Sequence, residues 1–592
     1  MTADTILHRL HENKRVRPNA PAYYLKTGDH WVPTSWREYT DQVRQAAKAL
    51  VALGVEPGGA VAILGFNRPE WVIMDLAGML VGGSATGIYT TNSPNEVKYI
   101  TEHCEASVLL LEDESQWEKV AQIWDDIETL KHVVMYRGVT IDDDRVLSWE
   151  QFLAKGDGIE DSVIDERLNN LKPDDLCTLI YTSGTTGPPK GVMLSHHNLA
   201  WTAKVGKEMF ELVPEDSSLS YLPLSHIAEQ IFSIHAPITG GYQVYFAESG
   251  LKVADNIREV QPTIVFGVPR VWERFYNGVQ ARMKEATGAK AKIAAWAQTV
   301  GREVSAVKNQ GKEPTGLLAF KYKIANKLVF SKVKPALGLG NARHLVSGAA
   351  PLNKEIMEFF SGLDLIIYEI YGQSEDCGPT TTNRPGATKF GTVGPPWPGT
   401  QVKIAEDGEI LVKGPNVFMG YYKDPAATND TLIDGWLYSG DLGQFDDDGF
   451  LTITGRKKEI IITSGGKNIA PKNIEAALKN VDLVSEAVVI GEQRRYLTAL
   501  LTLEEEAANK FAEAHGLDVA SMHENPAVRA HLQKEIDEKV NSLFARVEHV
   551  RGFTIIPRQF TVEDGELTPT LKIKRRIIDK NFKDRIEAMY SE

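Results

Sequence analysis

Apolar residues recur at three- and four-residue intervals from Trp36 to Val55 (SWREYTDQVRQAAKALVALGV), and the run meets Gly54 and then Pro57. That spacing predicts an amphipathic helix with a stop at its end. A short unbroken apolar run follows, Ala60 to Phe66 (AVAILGF), which predicts a buried strand. WVIMDLAGMLVGGS then predicts a helix, and SVLLLED at Ser107–Asp113 another strand. The alternation recurs at SSLSYLPLSHIAE and TIVFGVPRVWERF, a pattern that implies layered α/β structure. Beyond about residue 400 the texture changes. Short β-runs broken by Gly and Asp take over in GEILVKGPNVFMGYY and GWLYSGDLGQFDDDGFLTITGRKKEIIITSGGKNI. DDDG at Asp446–Gly449 is expected to be a hairpin turn, because a calcium loop needs spaced ligands and a distal glutamate. After GRKKE the pattern becomes small α+β: strands EAVVIGE and LTALLTLE, then charged helices. A domain boundary is expected near Arg456–Glu459, dividing the chain into 1–455 and 456–592.

Length and charge narrow the picture. A chain of 592 residues is too long for one small core. A formal net charge of −14 argues against nucleic acid as partner, since backbone binding needs a concentrated basic face. One segment breaks the acidic trend. Residues 276–343 read as helical and hold lysines and arginines in excess, with only Glu285, Glu303 and Glu313 against them. Two readings stand: a solvated helical face, or contact with an anionic surface such as lipid headgroups or a coenzyme A phosphate. Cys104, Cys177 and Cys377 are far apart, which suits a reducing compartment, and Cys177 in LCTLIYT reads as a small buried side chain. The N-terminus lacks the apolar core of a secretory leader, and no run of about 18 apolar residues occurs. A cytoplasmic enzyme is expected, with the basic segment as its one route to peripheral membrane contact.

The densest chemistry lies at Tyr181–Gly191, YTSGTTGPPKG. Lys190 is followed by Gly191, so the Walker A pattern fails. The composition still suits phosphate. Gly184 and Gly187 allow close backbone approach, Thr182, Ser183, Thr185 and Thr186 offer hydroxyls, and Lys190 adds a mobile charge. His226, Glu229 and His235 cluster in sequence, but neither H-E-x-x-H nor H-x-x-E-H is present, so zinc is not expected.

YTSGTTGPPKGV closely resembles the phosphate-binding signature of the adenylate-forming enzymes, and further motifs follow in that family's order. LPLSHIAE resembles the segment whose histidine, here His226, lies beside the carboxylate substrate. VSGAAPL resembles the stretch along the adenine ring, which implicates Gly348, Ala349 and Ala350. YEIYGQSED (Tyr368–Asp376) implies Tyr371 against adenine, Gly372, Gln373 and Ser374 in the nucleotide site, and Glu375 with Thr185 on Mg²⁺. In YSGDLG and GRKKEII the resemblance assigns Asp441 and Arg456 to the ribose and Lys458 to the hinge of a rotating C-terminal domain. SGGKNIAPKNIE resembles the loop bordering the coenzyme A channel, with Gly465 and Gly466. LTPTLKIKRR departs from the family's usual Ser/Thr-Gly-Lys: Leu571 replaces the glycine, and Lys572 takes the place of the catalytic lysine, with Lys574 as the other candidate. Leucine at that place and the long basic insertion are similar to the long-chain, bubblegum-type fatty acyl-CoA synthetases. In that branch an aromatic residue gates a fatty-acid tunnel, which implicates Trp272 and Val268.

The implied fold is α/β and α+β: a large N-terminal domain of layered α/β subdomains with a β-rich subdomain, and a small mobile α+β C-terminal domain. The implied activity is ligation of a fatty acid to coenzyme A at the expense of ATP with Mg²⁺, through an acyl-adenylate. A carrier-protein acceptor and a luciferase-like oxidation share the first step. The kinase motifs HRD and DFG are missing, and Lys190, Glu375 and Lys572 are all present, which favours an enzyme over a silent lipid binder.

Overall fold

The computed structural model describes residues 4–138, 141–182, 188–568 and 572–591. The predicted first helix spans Trp36–Ala52, opened by a capping box in which Ser35 and Glu38 satisfy each other's backbone N–H groups. It ends three residues earlier than its apolar pattern, because Leu53 already caps it and Val55 N–H returns to Leu50 O. The next two predicted elements form as the strand Ala60–Leu64 and the helix Pro69–Leu80. The strand is buried throughout and that helix almost throughout, as unbroken apolar runs demand in the middle of a parallel sheet.

Two eight-stranded sheets make up most of the molecule. In the first, Ala60–Leu64 pairs in parallel with Ser84–Ile88 and Ala106–Leu111. An antiparallel hairpin, Leu176–Thr182 with Lys190–Ser195, is added at one side, with Thr182 opposite Lys190 at its tip. Ser183–Gly187, the heart of the expected phosphate loop, lies outside the described residues. In the second sheet, Ser217–Ser220, Ile264–Gly267, His344–Ser347 and Ile367–Tyr371 run in parallel. The C-terminal ends of these strands carry the motifs around His226, Trp272, Ala349 and Glu375. Site residues collect at the carboxyl ends of parallel strands because each connection must leave there to cross back.

The β-rich region is antiparallel, built on Glu409–Lys413, Trp436–Phe445 and Leu451–Arg456. DDDG is the turn of its last hairpin: Asp446 Oδ1 accepts from Asp448 and Phe450 N–H. Leu451 and Ile453 still belong to the large core, whereas Ile461 packs into a separate one with Ile474, Leu497 and Phe553. That second core lies under a three-stranded sheet, Val484–Ile490, Leu497–Leu503 and Val550–Ile556. Cys177 is buried, as expected of a small apolar-like side chain.

Candidate active site

Lys190 and Glu375 come from different sheets and meet on one tyrosine. The Lys190 ammonium lies 4.7 Å from the centre of the Tyr421 ring. The Tyr421 hydroxyl donates to Glu375 Oε1 at 2.8 Å. Glu375 Oε2 has no protein partner among the described residues. Tyr421 was not anticipated from sequence. It lies in a glycine-rich strand fragment, Gly420–Tyr421, that pairs beside the Lys190 strand. Only that pairing reveals its position.

The turn carrying Glu375 is unusually cramped. A Cβ on Gly372 would lie 1.7 Å from the carbonyl oxygen of Gly378, so no side chain fits there. Gln373 N–H donates to Asp376 Oδ1 at 2.7 Å, and Thr380 donates to the other carboxylate oxygen. Burial pushes the Asp376 carboxyl well above its ordinary range. Gln373 Nε2 reaches Ser439 O at 3.2 Å, and Ser374 is buried. Gly348 packs against Ile370, while Ala349, in a left-handed conformation, and Ala350 are exposed.

Asp441 is held from two directions. Tyr371 donates its hydroxyl to Oδ2 at 2.9 Å, and Arg456 Nε donates to Oδ1 at 2.8 Å. Both expected ribose groups are therefore together, with Tyr371 tied to them.

His226 begins a short helical turn and its Nδ1 accepts the Ala228 N–H at 3.2 Å. An accepting Nδ1 leaves the ring proton on Nε2. Desolvation, then the charge of Lys572, lowers the imidazole to about 4, so it is a neutral donor at pH 7. Below it, Glu229 accepts from Ser220, Ser233 and the Tyr221 N–H at 2.8, 2.7 and 3.1 Å. Burial raises Glu229 to about 8, so it is protonated at neutral pH. The group is a scaffold for the His226 turn. Among the described residues no set of three or more His, Cys, Asp or Glu could hold a metal ion.

Lys572 enters from the C-terminal core. Thr568 fixes its backbone, with Oγ1 accepting the Lys572 N–H at 3.0 Å. Lys572 is exposed in this arrangement. Desolvation, then the charges of Arg456 and Lys472, lowers it to about 8, against the pull of Asp441 and Glu459. Lys574, two residues on, instead caps the helix Arg575–Asn581 and is absent from the charges acting on His226.

Two further expected groups lie apart from these contacts. Trp272 is fully buried, its indole N–H donating to Gly267 O at 3.2 Å and its ring edge-on to Phe360. Val268 is the residue that caps the Trp272 helix, Pro269–Lys284. Phe232, just past His226, stacks on Phe266 at 4.5 Å, which couples the histidine turn to this wall. The Gly465–Gly466 loop is exposed and bonds within its own layer, Ser464 N–H to Arg494 O and Thr463 N–H to Lys467 O. Lys458 lies in the turn Lys457–Glu459, whose Lys457 bonds Glu409 and Asp407 at 2.8 and 2.6 Å.

The pattern of AMP-binding enzymes matches residues 10–422, and that of the AMP-binding enzyme C-terminal domain matches residues 458–592. The chain belongs to the AMP-binding enzyme family. Within it, the chain is 39% identical to the long-chain-fatty-acid–CoA ligase ACSBG2 of Xenopus laevis, over 96% of this chain and 81% of that one. It is 36% identical to ACSBG2 of Homo sapiens, over 96% of this chain and 90% of the relative. Solved AMP-binding folds agree. The adenylation–carrier didomain of a carboxylic acid reductase from Segniliparus rugosus superposes with a TM-score of 0.75 at 22% identity, over 100% of this chain and 82% of that one. ATP-bound MatB from Rhodopseudomonas palustris gives 0.71 at 22%, over 99% and 100%.

Proposed function

We propose that this AMP-binding enzyme is a long-chain fatty acid–CoA ligase that works through an acyl-adenylate. The reading is supported by one juxtaposition: Lys572, in the region matched by the C-terminal domain pattern, brings its charge to bear on neutral His226 in the region matched by the AMP-binding pattern. The relatives named above bear the same activity in their names.

Adenylation sets an anionic carboxylate against an anionic phosphate. In this reading the Lys572 ammonium stands between the carboxylate and the α-phosphate, and the Nε2–H of His226 donates to the carboxylate. Lys190 faces the leaving phosphates with Ser183–Gly187. Asp441, already oriented by Tyr371 and Arg456, accepts the ribose hydroxyls. Ala349 and Ala350 offer an open, small-residue surface to the base, backed by the buried Gly348. A magnesium ion would fit Glu375: Tyr421 steadies one carboxylate oxygen, and the other, without a protein partner among the described residues, would be open to a hard cation. When bound, that ion supplies charge balance for pyrophosphate. Thioester formation requires Lys572 to withdraw and the Gly465–Gly466 loop to approach. We assign this to rotation of 456–592 against 1–455 about Lys458, with the buried Trp272 and its neighbour Val268 in the wall of the acyl tunnel.

The test is product analysis. Purified protein with Mg·ATP and a fatty-acid length series is expected to release AMP and form thioester only with both a long-chain acid and coenzyme A. Pyrophosphate release with retained acyl-adenylate and no thioester would move the acceptor to another thiol. No turnover with any acid would refute the substrate class.

A further inference from the structure

The basic segment carries a feature that charge alone does not show. The helix Gly316–Ala325 continues through Asn326–Phe330 and Ser331–Ala336. One side of it, including Tyr322, Ala325 and Phe330, packs on Ala297, Val300 and Val304 of the preceding helix, Gly288–Lys308. The opposite side is also apolar and has no cover. Leu317, Phe320, Ile324 and Leu328 follow the i, i+3, i+7, i+11 rhythm of one face and are 69%, 62%, 36% and 42% exposed. Lys321, Lys323 and Lys327 border this ridge and form no ion pair among the described residues. From Gly316 to Ala336 there are five lysines and no acidic residue, in a chain of net charge −14. The support beneath is firm: Lys308 and Lys334 both bond the buried carboxylate of Asp364.

We propose that this ridge docks on a bilayer containing anionic lipid, with Leu317, Phe320, Ile324 and Leu328 among the acyl chains and the lysines at the headgroups. Charge complementarity selects this occupant. A second copy would set an equally basic face against the first, and like charges across a symmetric contact repel. Docking stands without the enzymatic reading. Its use, drawing a poorly soluble acid from the membrane, rests on that reading.

The experiment is flotation of the full chain with phosphatidylcholine vesicles, with and without phosphatidylglycerol. Wild type is expected to float with the anionic vesicles. Leu317→Ser/Phe320→Ser/Leu328→Ser and Lys321→Gln/Lys323→Gln/Lys327→Gln should each weaken partition by about tenfold or more. Thermal unfolding unchanged from wild type establishes that both variants fold, so the result does not depend on turnover. In Phe320→Trp, excess emission at the new site should shift to the blue and be quenched by lipids brominated in the acyl chain. Flotation unaffected by loss of the ridge overturns the proposal. So does a wild-type dimer that the serine variant dissociates while vesicle binding stays absent.

Discussion

Lys457 and Lys572 both belong to the C-terminal side of the chain, and they live under opposite electrostatics. Lys457 is gripped by Asp407 and Glu409, and those hydrogen bonds hold its ammonium above the usual lysine range. Lys572 has no ion pair among the described residues, and desolvation with two neighbouring cations lowers it to about 8. A cation paired with protein carboxylates has spent its field locally. One left unpaired, in a partly dehydrated place, acts on whatever anions arrive. The difference separates a lysine that holds structure from one available to chemistry.

The contrast breaks most severely at Lys572 itself. Lys572→Ala is expected to slow acyl-adenylate formation by about 10²-fold or more, read by pyrophosphate exchange, whereas Lys574→Ala stays near wild type. Equal losses at both would remove Lys572 from its role. The pH profile sharpens the same point. The charged form prevails below about 8, so exchange should decline as pH rises through that value, and Lys572→Arg should push the decline upward. Tyr421→Phe keeps the ring under Lys190 but frees Glu375 Oε1. A loss of about 1 kcal/mol of transition-state stabilisation, about fivefold, should appear in kcat with Mg·ATP. Lys457→Ala leaves the buried Glu409 carboxylate, among the described residues, with only the Gly440 N–H. Stability should fall by about 1 kcal/mol in denaturant titration, with adenylation preserved. The smallest effect is expected at Arg270, which bonds Glu486 of the C-terminal sheet at 2.9 Å from a half-exposed position. Arg270→Ala should alter the ratio of adenylation to thioester rates by less than about threefold.

Legibility in the sequence followed the range of the interactions. The helix at Trp36 and the strand at Ala60 were readable because their signals are local: a period, a serine cap, a glycine stop. Candidate site residues could be picked out wherever a motif is contiguous, as at His226, Glu375 and Asp441. The choice between Lys572 and Lys574 could be made only by resemblance, since two lysines two positions apart differ in which way the backbone turns. Tyr421 and Glu229 were not legible. Tyr421 owes its place to a strand pairing with residues more than 200 positions earlier, and Glu229 to partners on a neighbouring strand. The exposed ridge also escaped. Leu317, Phe320, Ile324 and Leu328 read as ordinary helix until the packed side is known to be the other one.

Gly372 and Gly465 look alike in sequence, and selection should treat them differently. At 372 even a methyl group would collide with the carbonyl of Gly378. At 465 an added Cβ meets nothing closer than 3.9 Å. In a saturation library sorted first for soluble expression and then for activity, codons at 372 should vanish in the first sort. Those at 465 should survive it, and any depletion there in the second sort would measure function alone.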